Sequence, residues 1–452
     1  MESGGGVVVK VAVIGGGPTG LVTGMGLARR GHTVVAVDRD PGPPPDGGPW
    51  PRRGVMQFHH AHAFRPQVGQ VLRAEAPTAW DAWLALGCEP IEMPLGDGGT
   101  ATVGVRSRRE TFERAVRSAA LEQPGLELRV GHVDGVTTSR GRAQGISVDG
   151  SDVEADLVVD ASGRSGRVNR HLRGPGVGGE CGIAYVDRTY RLRPGVPVPP
   201  MTNALAWQGN YVGFMVLVFL HERGIFSALI IRSTANRDLV GLKHTRAFEA
   251  ASAAIPGLAT WTAPDVAEPL TDVLPGGPLL NVFRGQRGPS GRLALPGLVF
   301  VGDSVCTTTP IFGRGVTTSL AQVAELLRLV DEHGCNVESV GEALDDWDRA
   351  QMRPWVEDHI MMDHAQARRW AGDDVDLIGR LPSDVIMSAA SQDPSIGEAI
   401  GPYVSMQALP SALATVEEKA RAVYRTGWRP QPDPGPTHDE LADLVAAAVP
   451  TA

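Results

Sequence analysis

The sequence predicts an α/β protein in which a parallel sheet covered by helices is interleaved with a second, sheet-rich domain and followed by a helical region. Residues 7–14 and 157–159 are apolar runs rich in β-branched side chains, typical of strands buried on both faces of a parallel sheet. Residues 316–330 carry apolar side chains at helical spacing. Residues 211–220 and 225–231 are apolar on both faces and flank a short polar segment, which predicts a β-hairpin.

The remaining elements are predicted in chain order by the same patterns. After the first strand, a glycine-rich turn leads into a helix that ends at Gly31, with Arg29 and Arg30 in its last turn, where basic side chains are favourable. The other expected elements are strands at residues 33–37, 126–130, 143–148 and 298–301, a helix at 109–120, a proline-rich loop at 41–51, and a mostly helical tail beyond 340 that Pro354 and residues 430–436 interrupt.

Composition and charge describe a globular protein rich in turns. The 452 residues indicate two or three domains at about 150 residues per domain, or one large interleaved unit. Glycine (56) and proline (35) are enriched, but 42% hydrophobic residues argue against disorder. The formal net charge of -9 lacks the basic footprint of nucleic-acid-binding proteins, so we expect no nucleic acid partner.

Cysteine usage and the N-terminal segment indicate a cytoplasmic protein. Cys88, Cys181, Cys306 and Cys335 form no CxxC pair, which fits a reducing cytosol and neither a disulfide scaffold nor a zinc ribbon. The N-terminus shows no signal-peptide pattern, and the longest apolar run, residues 211–220, is too short to cross a bilayer as a helix. We therefore expect no membrane span.

The first motif that carries chemistry is Gly15-x-Gly17-x-x-Gly20, between the first predicted strand and helix, with Asp38 at the end of the next strand. Glycine allows a tight turn and close backbone approach, and the helix N-terminus offers amides to a pyrophosphate. The Asp38 carboxylate can accept hydrogen bonds from ribose hydroxyls. The motif predicts a Rossmann-like dinucleotide site, for either NAD or FAD.

A second glycine-rich motif separates these cofactors. The strand at residues 298–301 ends at Gly302-Asp303, and residues 310–315 then lead into the helix at 316–330. A dinucleotide with one pyrophosphate does not need two such loops. A flavin does, because its ring lies far from the adenosine and its N1/C2 edge becomes negative on reduction, which amides at a helix N-terminus stabilise. The two motifs together predict FAD.

With these motifs the sequence resembles the class A FAD-dependent monooxygenases, which have the para-hydroxybenzoate hydroxylase-like fold. The resemblance covers residues 7–330 and includes the family's arginine at the start of a helix, here Arg109. Residues 53–57 with His60 and His62 look most like bacterial polyketide-pathway flavin epoxidases and hydroxylases. The resemblance implies a GR2-type, Rossmann-like FAD-binding domain. The FAD-contacting residues that it implies are Gly15, Gly17, Pro18, Thr19, Gly20, Asp38, Arg39, Arg53, Arg109, Val133, Ala161, Gly163, Gly302, Asp303, Pro310, Gly313, Arg314, Gly315 and Val316.

The central motif departs from the family pattern. The family commonly has an Asp-Gly pair that helps to bind both FAD and NADPH, whereas this chain has Asp160-Ala161-Ser162-Gly163-Arg164. The electron donor is therefore open between NADPH or NADH bound directly and FADH2 from a separate flavin reductase. Flavin halogenases resemble one another in a Trp-x-Trp-x-Ile-Pro run and an active-site lysine, and neither is present, since no lysine lies between Lys10 and Lys243.

Several side chains are candidates for the substrate pocket, but none is assigned as an acid or base. Aromatic side chains on apolar strands usually pack in a core. Trp207, Tyr211 and Phe214 lie in such a region, so core packing and contact with a substrate both stay open for them. His59, His60 and His62 lack a carboxylate or cysteine at ligand spacing, so no metal site is predicted. The candidate pocket residues are His62, Trp207, Tyr211, Phe214, Pro310 and Phe312.

The motifs and the resemblance lead to one prediction of organisation and function. The FAD-binding domain comprises residues 1–75, 100–180 and 284–335, the substrate-binding sheet domain 76–99 and 181–283, and the helical C-terminal region 336–452. The resemblance implies a monooxygenase whose reduced FAD forms a C4a-hydroperoxide with dioxygen. This species then hydroxylates or epoxidises an apolar or aromatic secondary metabolite in a bacterial biosynthetic pathway. An FAD-dependent reductase or dehydrogenase and a non-catalytic flavin-binding partner protein are the alternatives.

Overall fold

The computed structural model describes residues 8–94, 98–166, 168–334 and 336–449, and its mixture of sheets and helices confirms the predicted α/β class. Residue 7, where the first strand is predicted to begin, and Cys335 lie outside these ranges. In chain order the strands are β1 (Lys10–Ile14), β2 (Thr33–Asp38), β3 (Glu89–Pro94), β4 (Thr100–Arg106), β5 (Leu126–Val130), β6 (Val133–Ser139), β7 (Arg142–Val148), β8 (Ser151–Glu154), β9 (Leu157–Asp160), β10 (Val177–Glu180), β11 (Ile183–Leu192), β12 (Ala206–Tyr211), β13 (Phe214–Leu220), β14 (Ile225–Ser233), β15 (Ala267–Pro269), β16 (Leu274–Gly276), β17 (Leu280–Phe283), β18 (Leu298–Phe300) and β19 (Cys306–Thr307). The α-helices are α1 (Pro18–Arg29), α2 (Pro66–Glu75), α3 (Pro77–Ala85), α4 (Arg109–Glu122), α5 (Thr245–Ala254), α6 (Pro256–Thr262), α7 (Gly315–His333), α8 (Val337–Trp347), α9 (Arg353–Trp370), α10 (Ser383–Ala389), α11 (Gly397–Val404), α12 (Glu417–Arg425) and α13 (His438–Ala448).

A five-stranded parallel sheet in the order β18-β9-β1-β2-β5 forms the centre of the first part of the fold. The segments that follow its strands stay in register beyond the sheet, since Ala161 N donates to Ile14 O at 2.9 Å and Val301 N donates to Asp160 O at 3.0 Å. Carboxyl ends of parallel strands meet at one edge of a sheet, where ligands of open α/β sheets bind. The glycine-rich and acidic motifs therefore lie together.

One face of the parallel sheet is covered by α1, α4 and α7, and α2 and α3 share the same core. Trp80 and Trp83 of α3 are buried there, and the Trp83 ring lies 4.8 Å from the Phe112 ring of α4. Burial of these large apolar rings joins α3 to the first part of the fold. The predicted domain boundary after residue 75 therefore falls inside one core, and the one after residue 99 falls within the β3–β4 hairpin.

A second, antiparallel sheet contains β12, β13, β14, β11 and β15 in this order, with β16 also paired to β11. The predicted strand at residues 211–220 is interrupted at Val212–Gly213, where the chain turns between β12 and β13. Side chains alternate between two apolar faces. One face packs on α5, α6 and α13, and the other packs on residues 61 and 63 of the loop after β2. Leu441 and Val445 place α13 in this core, apart from the other C-terminal helices.

The helices α9 to α12 lie against the other face of the parallel sheet, whereas α8 packs on α7 in the first core. Pro354 does not interrupt them, contrary to the expectation from sequence. It lies in the first turn of α9, directly after a π-helical segment at Asp348–Met352. A proline in a first turn removes no obligatory α-helical hydrogen bond, so the chain stays helical from α8 to the end of α9. None of the helices in the described ranges is long and apolar enough to cross a bilayer.

Candidate functional site

A cleft runs along the carboxyl-end edge of the parallel sheet, where the segments after β1, β2, β9 and β18 meet. The cleft also contains residues of the loop after β2 and of the segment before α7. Among the residues predicted to contact a cofactor, those that line the cleft are Gly15, Gly17, Pro18, Thr19, Asp38, Arg39, Arg53, Arg109, Ala161, Gly163, Asp303, Pro310, Gly313, Gly315 and Val316. His62 also lines it. Gly20, Val133, Gly302 and Arg314 lie behind or away from its surface.

The first turn of α1 forms one wall of the cleft. Gly17 is the N-cap of α1 and no side chain caps the helix, so the first amides are free to bind a ligand anion. A Cβ atom on Gly20 would lie 2.0 Å from the Gly15 carbonyl oxygen, so glycine is required there for the turn to close. A Cβ atom on Gly17 would have no protein atom nearer than the Arg52 Nη2 at 3.9 Å and would enter the cleft.

The segment after β18 packs directly against this turn. Gly302 has a φ of +70°, and a Cβ atom there would lie 2.9 Å from the Thr19 Cγ2 atom. The Gly302 N–H donates to Gln322 Oε1 at 2.9 Å, which ties the segment to α7. Gly20 and Gly302 thus shape the cleft through close packing instead of lining it.

Asp38 lies at the end of β2 and is held by the backbone. Its Oδ2 accepts from the Gly16 N–H at 2.6 Å and its Oδ1 accepts from the Asp40 N–H at 2.8 Å. The Arg52 guanidinium lies 3.4 Å from the Asp38 carboxylate and 3.1 Å from that of Glu113, and it is almost fully buried. The sequence pattern indicated the neighbouring Arg53 and not Arg52. The sequence shows two adjacent arginines, Arg52 and Arg53, at this place. Only the packing shows that Arg52 is the buried one.

Arg109 and His62 meet in the lining of the cleft. The Arg109 Nε donates to Glu113 Oε1 at 2.6 Å, and its Nη1 lies 3.3 Å from His62 Nε2. Because His62 Nδ1 lies 3.0 Å from the His60 carbonyl oxygen, Nδ1 carries the proton and Nε2 accepts. Burial lowers the pKa of His62 well below its usual value, and the Arg109 cation lowers it further. His62 therefore presents a neutral imidazole.

The Asp303 carboxylate lines the cleft and accepts no hydrogen bond from the residues that the structure describes. Burial raises the pKa of Asp303 above its usual value, while the cations of Arg109, Arg164 and Arg284 oppose this shift. Buried polar groups normally have hydrogen-bond partners. A carboxylate that faces a cleft without a partner therefore indicates that a bound ligand donates a hydrogen bond to it. Free amides at a helix N-terminus, arginines and this acceptor match the phosphates and hydroxyls of a flavin dinucleotide. The residues present fit FAD.

The loop before α7 is fixed from behind by C-terminal helices. The Thr309 N–H donates to Asn281 Oδ1 at 2.8 Å, and the Thr309 hydroxyl donates to Asp363 of α9 at 2.9 Å. Burial raises the pKa of Asp363 to about 7. Arg314 and Phe312 do not line the cleft. Instead, the Arg314 side chain points into the C-terminal region and lies 3.2 Å from Asp358.

Three further predicted pocket residues, besides Phe312, lie away from the cleft. Tyr211 and Phe214 stack with ring centroids 4.9 Å apart on the sheet face that carries α5, α6 and α13, and Trp207 packs against the same core. The structure therefore places these three side chains in core packing, which was the other interpretation of them. The opposite face is the one that meets the loop after β2, through residues such as Leu217 and Ile231. The alternation of side chains along the strands assigns residues to two faces of the sheet, but it does not indicate which face adjoins the cleft.

Two further predictions concern Val133 and the histidines. Val133 starts β6 and is buried in the core below the sheet, so its side chain does not reach the cleft. His60 Nδ1 lies 2.6 Å from Asp187 Oδ1, which ties the loop after β2 to β11. Among the residues that the structure describes, no group of three or more His, Cys, Asp or Glu side chains could hold a metal ion.

Comparison with known proteins identifies the fold. Residues 8–55 match the FAD binding domain family. No curated protein matches the chain by sequence. Solved structures with a similar fold include the flavin-dependent brominase Bmp2 (TM-score 0.63, 15% identity, 93% of this chain and 100% of that chain). They also include PqsL, a probable FAD-dependent monooxygenase from Pseudomonas aeruginosa (TM-score 0.56, 16% identity, 81% and 99%), and CtdE in complex with FAD and a substrate (TM-score 0.59, 14% identity, 92% and 100%). The chain therefore carries an FAD-binding domain within the class A FAD-dependent monooxygenase-like fold.

Proposed function

We propose that the protein is an FAD-dependent monooxygenase that hydroxylates or epoxidises an apolar or aromatic small molecule, a secondary metabolite. The observation that carries this function is the apolar wall at one end of the cleft. Ala61, Ala63 and Leu279 line the cleft and belong to one buried cluster with Leu217 and Ile231 of the second sheet. An apolar wall beside a redox cofactor holds an apolar substrate and excludes water.

The residues of the chain would bind and orient the cofactor and substrate. Bound FAD would supply the redox chemistry that activates dioxygen. The amides at the start of α1 would hold its pyrophosphate, and Asp303 would accept from a hydroxyl of the cofactor. The start of α7, at Gly315, would direct amides and a positive helix end towards the flavin, where negative charge develops on reduction. His62 would offer a neutral hydrogen-bond acceptor.

Oxygen transfer is proposed in preference to halogenation. A flavin-dependent brominase has a similar fold. Flavin halogenases share an active-site lysine, and the cleft residues that the structure describes contain none. Lys10, Lys243 and Lys419 are the lysines of the chain, and each lies outside the cleft lining. We therefore expect no halogenated product.

The electron donor is proposed to be NADPH or NADH, or FADH2 from a separate flavin reductase. The structure places Ala161 and Gly163 of the central motif in the cleft lining. Arg164, from the same motif, also lines the cleft, and its Nη1 donates to the Pro278 carbonyl oxygen at 2.6 Å. A positive side chain at this edge suits a nucleotide donor as well as FAD itself.

Isotopically labelled dioxygen tests this function. FAD-loaded protein would be incubated with labelled dioxygen, bromide and a panel of aromatic and alkene compounds, using NADPH, NADH or an added flavin reductase. We expect a product that gains one labelled oxygen atom and no bromine. The Leu279→Asn variant, which places an amide on the apolar wall, should consume donor with less product, whereas Leu270→Asn, at an exposed leucine, should behave as the parent.

Each alternative gives a different result. Substrate that is reduced or dehydrogenated without gaining oxygen would replace the monooxygenase with a reductase or dehydrogenase. Bound FAD without turnover on any compound or donor would indicate a non-catalytic flavin-binding protein. A brominated product would assign halogenase chemistry.

A further inference from the structure

A second cavity, of about 560 Å³, lies beside the FAD cleft, between α9 and the segment that leads into β11. The two share a thin wall. Leu279 lines the cleft, Cys181 lines the second cavity, and the Cys181 N–H donates to the Leu279 carbonyl oxygen at 3.2 Å. Its volume is in the range of about 300–1,000 Å³ that small-molecule sites occupy. The cavity thus has the size of a small-molecule site.

The cavity is apolar on the side nearest to the cleft. Cys181 belongs to the same buried cluster as Leu279, and Met361 and Ala365 of α9 lie on the same lining. Trp370, at the end of α9, packs against this cluster. An apolar molecular body would therefore be favoured here over a polar one.

The lining of the cavity also carries two arginines without ion pairs. Among the residues that the structure describes, the Arg368 and Arg380 side chains make no hydrogen bond or ion pair, although both line the cavity. Arg368 acts on Asp376 only through longer-range attraction. Both guanidiniums are exposed and therefore free to bind a ligand. His364 lines the cavity as well.

The other charged side chains of the cavity lining already have hydrogen-bond partners. The Asp374 carboxylate accepts two hydrogen bonds from Arg429 at 2.5 Å each. Asp376 accepts from the Ile378 N–H at 2.9 Å within its own loop. Arg369 pairs with Asp384. The charges left without a partner are therefore positive.

We propose that this cavity binds a small molecule that carries an oxyanion, a carboxylate or a phosphate, on an apolar body. This binding site goes beyond the proposed function, because the wall formed by Cys181 and Leu279 separates it from the cleft. Arg368 and Arg380 bind the oxyanion at the solvent side, where guanidinium forks match its oxygens. The apolar body then lies against Cys181, Met361 and Ala365.

Calorimetric titration of the FAD-loaded protein tests the site with three probes of one ring system: 1-naphthoate, 1-naphthyl phosphate and the neutral 1-naphthamide. We expect at least one anion to bind about tenfold more tightly than the amide, which is the effect of one charge-assisted hydrogen bond. The anion that binds more tightly identifies carboxylate or phosphate. Raising the salt concentration should weaken binding of the anions and not of the amide.

Variants separate the arginine contribution from general effects. The double variant Arg368→Gln/Arg380→Gln should lose about tenfold in affinity for the anions and leave the amide unchanged. Arg292→Gln removes a cation from an exposed loop remote from the cavity lining and should match the parent. Met361→Trp fills the apolar side and should weaken all three probes. Flavin absorbance checks that each variant retains FAD.

The outcomes distinguish this site from the proposed function. Anions that do not bind, or that bind the double variant as tightly as the parent, would overturn the anion site whether or not labelled product forms. Arginine-dependent binding of the anions in a protein that transfers no oxygen would overturn the proposed function alone.

Discussion

The Arg314 guanidinium lies 3.2 Å from the Asp358 carboxylate, and both side chains are 1% exposed. The rings of Trp355 and Tyr403 lie 4.6 and 4.8 Å from the guanidinium, and the Tyr403 hydroxyl donates to Asp358 at 2.6 Å. Arg314 directly precedes Gly315, the first residue of α7. The pair therefore joins the loop beside the FAD cleft to the C-terminal helices.

Asp358→Asn should destabilise the protein strongly, because it leaves the Arg314 cation buried without its counter-charge. Breaking a buried ion pair by removing one partner costs about 3–5 kcal/mol. Glu357→Gln, at the next position, removes a partner from the exposed pair with Arg353 and should cost less than about 1 kcal/mol. Urea unfolding of both variants measures the difference. Equal stability of the two would show that the buried pair does not hold the loop.

Gly17→Ala and Gly20→Ala should separate cofactor binding from folding. The Gly20 variant places a methyl group 2.0 Å from a carbonyl oxygen and should destabilise the apoprotein by about 3 kcal/mol. At Gly17 a methyl group comes no closer than 3.9 Å to a protein atom, so the apoprotein should change by no more than about 1 kcal/mol while FAD affinity falls. Thermal melts of the apoprotein and FAD titration measure the two effects. Undiminished FAD affinity in Gly17→Ala would place the cofactor elsewhere.

Asp348 should make the protein less stable as pH rises. Burial raises the pKa of Asp348 to about 8, and Gln286 donates to its Oδ2 at 2.8 Å. The pKa of Asp348 in the folded state lies above the unfolded value of about 3.9. The contribution of Asp348 to the stability of the protein is therefore complete below about pH 3.9 and is lost as the pH rises to about 8. The loss approaches about 1.4 kcal/mol per pH unit in this window.

Asp348→Asn should abolish this loss. The free energy of unfolding of this variant, relative to that of the parent, should increase between about pH 4 and pH 8. Asp346→Asn, at an exposed neighbour, should follow the parent. Urea unfolding at several pH values gives the comparison, and parallel curves for parent and Asp348→Asn would contradict the assignment.

Asp303→Asn should have opposite effects on the apoprotein and on cofactor binding. Without ligand, the carboxylate is partly buried and its pKa is raised, so its neutralisation should stabilise the apoprotein above about pH 4. With FAD, the variant replaces a charged acceptor by a neutral one and should bind about tenfold more weakly. Melting of the apoprotein and FAD titration report the two effects. Unchanged FAD affinity would remove Asp303 from the cofactor site.

Short motifs were sufficient to predict the fold class and most of the cleft. Gly15, Gly17 and Asp38 belong to one strand-turn-helix-strand unit, and Asp303, Gly313 and Gly315 belong to one later segment. Their geometry is local, because it depends on a strand end, a tight turn and a helix N-terminus within a few residues. The parallel sheet then brings the segments to one edge, as strand direction requires.

Long-range packing decided the features that sequence patterns did not predict. The patterns did not show that Arg52 is buried among three carboxylates while Arg53 is exposed. They also did not show that α3 shares the core of the parallel sheet. Ion pairing and core packing depend on which distant segments of the chain come into contact. Two adjacent arginines cannot be distinguished by sequence pattern before those contacts are known.

The sequence by itself determined that this chain folds around a parallel sheet with an FAD-binding edge, because each part of that edge is encoded within a short segment. The tertiary structure decided which face of the second sheet meets the cleft. Both faces are apolar, so hydrophobic alternation is the same for each, and only packing on α5, α6 and α13 assigns Tyr211 and Phe214 to the remote one. It also placed α9, with Arg368, and the segment after α9, with Arg380, beside Cys181 in the second cavity.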